Sequence, residues 1–205
     1  ATEAEQQVLS KYVGWGGLAD AFDERKSAWT EEYRELKSTL SDEEYSAARA
    51  STLNAHYTSP TVIKAMYEAV ARMGFAHGNI LEPSMGVGNF FGMMPEDMQE
   101  NSRLYGVELD SITGRIARKL YPSAAITVAG FETTDRRDFY DLAIGNVPFG
   151  NYRVADKPYD KLGFSIHNYF FAKALDQVRS GGIVAFVTSR YTMDAKNSDA
   201  RRYMA

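Results

Sequence analysis

The run Asn146-Val147-Pro148-Phe149, directly after an apolar stretch, has the residue types for chemistry on an amine. A proline directly after a buried strand ends its ladder, so the aromatic residue beyond it projects over the strand end. The Asn146 side-chain oxygen and the Val147 carbonyl can accept both N–H bonds of an amine on a planar ring. This draws the nitrogen lone pair out of conjugation, while Phe149 stacks on the ring. The run therefore fits an exocyclic amine as nucleophile; the alternative is a turn with an exposed phenylalanine.

A second run, around Gly86 and Gly88, favours a ligand that contains a nucleoside. Glycine at these positions allows a tight turn and a close approach of the backbone to a ligand. Roughly 20 residues later, Glu108 ends the next apolar stretch, where a carboxylate can accept hydrogen bonds from both ribose hydroxyls. A dinucleotide site needs a small residue at position 91, and Phe91 stands there. The pattern favours a nucleoside without phosphates, such as S-adenosylmethionine; a ligand-free turn and a solvated charge remain the alternatives.

Alternating strand and helix patterns from residue 56 onward position these two runs. Short apolar runs predict strands, and residues at helical spacing predict the helices between them. The predicted strands are 80–81, 104–107, 125–128, 142–144 and 183–187, and the predicted helices are 60–73, 112–120 and 166–178. This alternation predicts a parallel sheet with helices on both faces, which binds ligands at the carboxyl ends of its strands. Both runs are therefore expected at one edge of the sheet.

Residues 1–55 differ in composition and predict an N-terminal helical extension, followed by a catalytic core over residues 56–205. Val8, Tyr12 and Val13 fit one face of a helix that the glycines from Gly14 onward must end. Ser41 begins a capping box, which predicts a short helix through about residue 50. The extension therefore looks like an arm attached to the α/β core.

The runs occur in an order that resembles a known family. They are Tyr57-Thr58-Ser59-Pro60, Glu82-Pro83-Ser84-x-Gly86-x-Gly88-x-Phe90, Glu108 and Asn146-x-Pro148-Phe149. This order resembles the DNA amino-methyltransferases with the gamma motif order. More closely, nearly the whole chain, with its Gly14-Trp15-Gly16-Gly17-Leu18 run, resembles the methylase region of large helicase-methylase proteins of conjugative transposons and phages. The resemblance implies a Rossmann-like S-adenosylmethionine-dependent methyltransferase that modifies N6 of an adenine flipped out of DNA.

The resemblance also implies a role for each matching residue. The residues expected to bind the cofactor are Thr58, Glu82, Ser84, Gly86, Gly88, Glu108, Phe131 and Glu132. Thr58 is expected at the methionine part of the cofactor and Glu108 at its ribose. Phe131 and Glu132 are expected at its adenine, although Gly130 replaces the usual aspartate before the phenylalanine. The residues expected to be catalytic are Asn146, Val147, Pro148 and Phe149.

Two departures from the family pattern bear on activity. Val147 replaces the first proline of the usual Asn-Pro-Pro-aromatic run; since only its carbonyl is used, valine can serve in a less rigid loop. The family fold has two further strands and a target-recognition domain, which would follow Ala205. We therefore expect the last strands to be missing and residues 1–205 to bind the cofactor but methylate poorly alone. DNA contact through additional domains and a covalently linked superfamily 2 helicase region are implied by the resemblance alone.

The residues leave two other functions open. The same loop recognises any amine on a planar group, so a glutamine amide of a protein or an RNA base is an alternative substrate. A degenerate, non-catalytic cofactor-binding or scaffold domain of a mobile-element protein is the other alternative. The Val147 substitution and the formal net charge of -4 favour it, because phosphate binding is largely electrostatic.

Composition excludes several other classes of protein. The chain is 44% hydrophobic and 24% charged, as globular proteins are, and no apolar run approaches the ~20 residues of a membrane-spanning helix. The chain has no cysteine, which excludes disulfides and thiolate metal sites, and its three histidines lack partners at ligand spacing. We therefore expect a cytoplasmic location, no metal and no membrane partner.

Overall fold

The computed structural model describes residues 1–52 and 58–205. His56, Tyr57 and the predicted boundary between residues 55 and 56 lie outside the described residues. The described part of the chain contains one parallel sheet. Its strands are β1 (Asn79–Glu82), β2 (Arg103–Glu108), β3 (Ala125–Val128), β4 (Tyr140–Asn146) and β5 (Val178–Val187).

The strand order is β3-β2-β1-β4-β5, and every neighbouring pair is parallel. The predicted strands all form, so the predicted α/β fold with a parallel sheet is confirmed. The chain first adds β2 and β3 on one side of β1 and then returns to place β4 and β5 on the other side. The direction of the strand order therefore reverses between β1 and β4. In open α/β sheets this switch point leaves a crevice at the carboxyl ends of the strands, where ligands bind.

The predicted helices also form. Ser59 caps the helix Pro60–Arg72, as predicted, through a 3.4 Å hydrogen bond from the Val62 amide, and Pro60 occupies its first turn. Asp110, which was not predicted as a cap, begins the helix Ser111–Leu120 by accepting the Thr113 amide at 2.9 Å. The helices are α1 (Glu3–Leu9), α2 (Thr30–Thr39), α3 (Asp42–Ser51), α4 (Pro60–Arg72), α5 (Asn89–Gly92), α6 (Glu96–Glu100), α7 (Ser111–Leu120), α8 (Ile166–Gln177), α9 (Tyr191–Asp194) and α10 (Asp199–Met204).

Two hydrophobic clusters hold the sheet between helices. Alternate residues of a strand point to opposite faces, so Ile80 belongs to one cluster and Leu81 to the other. Tyr67 of α4 and Ala117 of α7 pack into the first cluster, and Phe170 of α8 packs into the second. Helices therefore cover both faces, as doubly wound folds require.

The N-terminal extension has a small core of its own, in which Phe22 and Tyr45 are buried beside Trp15. It also contacts the α/β core, since the side-chain Nε2 of Gln6 donates to the Lys119 carbonyl at 3.0 Å and Glu44 pairs with Arg115. The capping box at Ser41 begins α3 as predicted.

One prediction for the extension was wrong. The first helix ends at Leu9 with Ser10 as its cap, so Tyr12 and Val13 do not continue a helix face. Val8 and Val13 are exposed, at 68% and 73%. Three apolar residues at helical spacing were too few to define a buried face, and the chain turns before Tyr12.

Candidate active site

A cavity of about 730 Å³ lies at the carboxyl ends of β1, β2 and β4. Its lining includes four carboxylates and, among the described residues, no lysine or arginine. The predicted site residues that line it are Thr58, Glu82, Ser84, Gly86, Glu108, Glu132, Asn146 and Pro148. The fold therefore brings most residues of both sequence runs to one cavity, as expected for the switch point of a parallel sheet.

The glycine turn after β1 opens onto this cavity at Gly86. This residue has φ +57°, and a Cβ added there would meet no atom within 4 Å. Gly88 has φ +87° and plays a different part, because a Cβ there would collide with the Tyr121 ring. The Tyr121 hydroxyl donates to the Gly88 carbonyl at 2.7 Å. Gly86 thus faces the ligand space, whereas Gly88 allows Tyr121 to pack behind the turn and does not line the cavity.

Glu108 at the end of β2 holds the turn in place. Its Oε2 accepts the Gly86 amide and its Oε1 accepts the Asp110 amide, both at 2.8 Å. Burial raises the pKa of Glu108 above its ordinary value, and these amide donors act in the opposite direction. Each carboxylate oxygen has a second lone pair, so Glu108 can still accept from two hydroxyls in the cavity.

Glu82 at the end of β1 is a buried carboxylate, 2% exposed. Its Oε2 has no hydrogen-bond partner among the described residues. Burial raises the pKa of Glu82 well above its ordinary value, and the nearby Glu108 charge acts in the same direction. A buried carboxylate is costly unless it is protonated or paired, so this end of the cavity favours a cation.

The run after β4 divides its residues between the cavity and the core. Asn146 and Pro148 line the cavity, and Phe149 is half-buried outside its lining. The Val147 side chain is 1% exposed, and its amide donates to the Val187 carbonyl of β5 at 3.2 Å. This hydrogen bond attaches the loop to the sheet. It can form with valine but not with the usual proline, because proline has no amide hydrogen.

The segment after β3 also places one predicted residue in the cavity lining and the other in the core. Glu132 lines the cavity, whereas Phe131 is buried and stacks on Phe170 with ring centroids 4.9 Å apart. Phe170 itself lines the cavity, so Phe131 supports its wall from behind. Thr58, just before α4, is 8% exposed and lines the cavity.

Sequence reasoning missed part of the lining. Part of it comes from the N-terminal extension and part from the segment that follows the β4 loop. The missed residues are Tyr12, Val13, Gly14, Ala47, Ala50, Ser51, Tyr152, Val154 and Ile166. Contacts between distant segments leave no local signal, although the Gly14-Trp15-Gly16-Gly17-Leu18 run had stood out without a role.

No group of three metal-ligating side chains occurs within residues 1–52 and 58–205. In the same two ranges, no helix is long and apolar enough to cross a membrane.

The strand order and the cavity at its switch point are those of a Rossmann-like fold, and solved S-adenosylmethionine-dependent methyltransferases have a similar fold. A protein of Listeria monocytogenes described as a class I member superposes with a TM-score of 0.56 at 15% identity, covering 88% of this chain and 64% of that one. The type I restriction-modification methyltransferase subunit of Streptococcus thermophilus gives 0.58 at 16% identity, with coverages of 86% and 46%. The fold class is therefore confirmed.

Two curated proteins are similar in sequence. The defense against restriction protein B of Escherichia phage P1 is 26% identical over 202 residues, which are 96% of this chain and 7% of that protein. The type II methyltransferase M.CvrRI of Paramecium bursaria Chlorella virus XZ-6E is 39% identical over 75 residues, 37% of this chain and 19% of that protein. The chain thus spans a small part of both relatives, and it matches no protein-family model.

Proposed function

We propose that this chain binds S-adenosylmethionine and transfers its methyl group to N6 of an adenine in DNA. The observation that carries the proposal is the cavity itself. Four carboxylates and the Asn146 loop line this one cavity, and no lysine or arginine among the described residues does.

The donor set fits this cofactor better than a dinucleotide. S-adenosylmethionine carries sulfonium and ammonium cations against one carboxylate, whereas a dinucleotide brings an anionic pyrophosphate. Glu82 offers a buried carboxylate oxygen without a partner, and Glu108 offers free lone pairs beside the glycine turn. Gly86 leaves open space where a side chain would stand. Four carboxylates would repel a pyrophosphate and stabilise a cation.

The residues of the chain would divide the work as follows. The bound cofactor supplies an electrophilic methyl group on sulfur. Asn146 Oδ1 and the Val147 carbonyl accept the two N–H bonds of the target amine, which points its lone pair at that methyl group. Neither acceptor needs to be a strong base, since the amine proton becomes acidic only after the methyl group has transferred. The base must leave the duplex first, because N6 is paired inside it.

DNA as substrate is supported by the relatives and by the loop type. Similar proteins include a type II methyltransferase, a restriction-modification subunit and a phage protein for defense against restriction. The formal net charge of -4 predicts that duplex binding depends on basic surfaces beyond these 205 residues. A gamma-type motif order, a linked helicase region and a cytoplasmic location are further parts of this proposal.

A non-catalytic cofactor-binding domain is the second candidate, and Val147 in place of proline is the observation that favours it. The two candidates differ in whether a labelled methyl group is transferred from the cofactor at all. If the substrate is a protein glutamine amide or RNA, the labelled methyl group appears in protein or RNA instead of DNA.

The test has two stages. Calorimetric titration of the chain with S-adenosylmethionine, with NAD and Glu108→Ala as controls, should give binding that weakens in the variant and is absent for NAD. Radioactive methyl transfer by the longer protein to DNA should then be lost in Asn146→Ala. Binding without transfer to DNA, RNA or protein would support the second candidate; label in RNA or protein would redirect the substrate. No binding by a folded chain would overturn the proposal.

A further inference from the structure

The N-terminal extension forms one wall of the cavity. Tyr12, Val13 and Gly14 approach it from the loop after α1, and Ala47, Ala50 and Ser51 approach it from one side of α3. Most of the remaining lining comes from loops at the carboxyl edge of the sheet. The extension therefore closes the cavity instead of lying elsewhere on the core.

A line of aromatic contacts fixes this wall. The Tyr12 ring meets Trp15 edge-on at 6.2 Å, and Trp15 meets Phe22 edge-on at 5.6 Å. Phe22 packs on Tyr45 of α3 at 5.2 Å, and the Gly17 amide donates to the Thr52 carbonyl at 3.2 Å. The loop and α3 thus form one packed unit, which orients Tyr12 toward the sheet.

Where the extension meets the loop after β2, two polar atoms of the cavity lining are buried without hydrogen-bond partners among the described residues. They are the Tyr12 hydroxyl and Asp110 Oδ1. Asp110 is 4% exposed and uses its other oxygen to cap α7. The Tyr12 hydroxyl lies near Asp110, Thr113 and Glu108, without the geometry of a hydrogen bond to Thr113. All four residues line the cavity.

Buried polar groups without partners are costly, so this arrangement calls for a ligand that can both accept and donate. A sugar hydroxyl does both, and Glu108 lies where a ribose is expected. We propose that the N-terminal extension is a wall of the cofactor pocket and that the Tyr12 hydroxyl hydrogen-bonds the ribose of the nucleoside opposite Asp110. This inference rests on the proposed cofactor. It gives a role to the segment around the Gly14-Trp15-Gly16-Gly17-Leu18 run: the run holds Tyr12 against the sugar.

The same geometry predicts a steric effect on α3. Ala47 faces the cavity with a small side chain, whereas the adjacent Ser46 is exposed and does not line it. Leucine at position 47 would occupy ligand space, and leucine at position 46 would extend into solvent. Both are good helix formers, so α3 should form in each variant.

The experiment measures dissociation constants by calorimetry on the full 205-residue chain. The ligands are S-adenosylhomocysteine and a derivative of it that lacks both ribose hydroxyls. Tyr12→Phe should bind the first ligand about 3–10-fold more weakly, as loss of one hydrogen bond predicts, and should bind the second as the unchanged chain does. Tyr33→Phe, in the same extension but outside the cavity lining, is the matched control and should change neither constant. Ala47→Leu should weaken binding of both ligands, and Ser46→Leu should not.

The outcomes separate this inference from the proposed function. Weaker binding in Glu108→Ala with none of the changes expected for Tyr12→Phe and Ala47→Leu would overturn the inference and leave the cofactor site standing. Equal weakening of both ligands in Tyr12→Phe would show a structural role and overturn the proposed hydrogen bond. Failure of the unchanged, folded chain to bind S-adenosylhomocysteine would overturn the inference together with the cofactor assignment.

Discussion

At the scale of single residues, the buried Glu82 carboxylate, whose Oε2 has no hydrogen-bond partner among the described residues, is the clearest sign that the cavity is built for a ligand. Folding alone does not favour a buried carboxylate beside a second one, because both burial and the like charge oppose its ionisation. A site that keeps such a group gives up stability without its ligand and regains it when a cation binds. Stability and binding should therefore respond to Glu82 in opposite directions.

Glu82→Gln should raise the stability of the ligand-free chain at pH 8 and change it little at pH 4. The folded-state pKa of Glu82 is raised, so its destabilising effect is absent below the ordinary carboxylate pKa and grows as pH rises toward the folded value. The expected gain at pH 8 is on the order of 1–3 kcal/mol, the range for relieving a buried polar group that lacks a hydrogen-bond partner. Urea unfolding at both pH values measures it. S-adenosylmethionine binding should weaken in the same variant, and a loss of stability at pH 8 would contradict the prediction.

Val147→Pro would restore the usual sequence of the loop and yet should destabilise the chain. The Val147 amide donates to the Val187 carbonyl, and proline would remove that donor beside a packed β5. The expected cost is about 0.5–1.5 kcal/mol, the net contribution of one hydrogen bond, because Val187 on the edge strand β5 is only half-buried. Thermal or urea unfolding measures it, with Val147→Ile, which keeps the amide and an apolar side chain, as the control. A variant as stable as the unchanged chain would show that this bond does not hold the loop.

At the scale of elements, a buried ion pair ties α8 to the segment that follows the Asn146 loop. Lys173 Nζ lies 2.7 Å from Asp156 Oδ2, and both side chains are nearly inaccessible. The Tyr169 hydroxyl donates to the same carboxylate at 2.7 Å, and Lys173 also donates to the Glu132 carbonyl at 3.2 Å. Lys173 therefore holds two segments in place: the one that follows the Asn146 loop and the one expected at the cofactor adenine.

Lys173→Met should destabilise the chain by about 3–5 kcal/mol, because it leaves the Asp156 charge buried without its cation. Adding Asp156→Asn should recover part of the loss, since the remaining group is then neutral. Lys157→Met, an exposed lysine in the same segment, is the control and should lie within about 0.5 kcal/mol of the unchanged chain. Chemical unfolding of the three variants measures their free energies of unfolding. Equal losses for Lys157→Met and Lys173→Met would show that the Lys173–Asp156 ion pair does not hold this segment to α8.

The elements also show where sequence reasoning stopped. The strands and the helices α3, α4, α7 and α8 could be predicted because buried apolar runs and caps such as Ser41 and Ser59 are local signals, whereas α2, which buries no residue, was not placed. The short helices α5 and α9 have four residues each, which is too few for a helical period to appear. Eight predicted site residues share the cavity because the topology carries strand ends to one edge. The wall around Tyr12 depends on packing between segments about 100 residues apart, and no local pattern encodes such a contact.

At the scale of the whole molecule, charge separates the two halves of the proposed reaction. The carboxylates of the cavity suit a cationic cofactor, and the formal net charge of -4 opposes a polyanion. An acidic chain gains little from phosphate contacts and so has little binding energy with which to open a base pair. Extrusion of the target base should therefore limit the rate of methyl transfer by this chain when it acts without basic partner surfaces.

It follows that the 205-residue chain should methylate adenine in single-stranded DNA, or opposite a mismatch, faster than adenine in a matched duplex. Opening a matched pair costs a few kcal/mol that an unpaired or mismatched adenine largely avoids, so the expected difference is at least about tenfold in kcat/KM. Radioactive methyl transfer to oligonucleotides of one sequence in the three forms measures it, with Asn146→Ala as the inactive control. Raising the salt concentration should change the three rates little, because few phosphates are contacted. A preference for the matched duplex would mean that these residues already contain the surface that opens it, and the acidic balance of the chain would then mask a local basic groove.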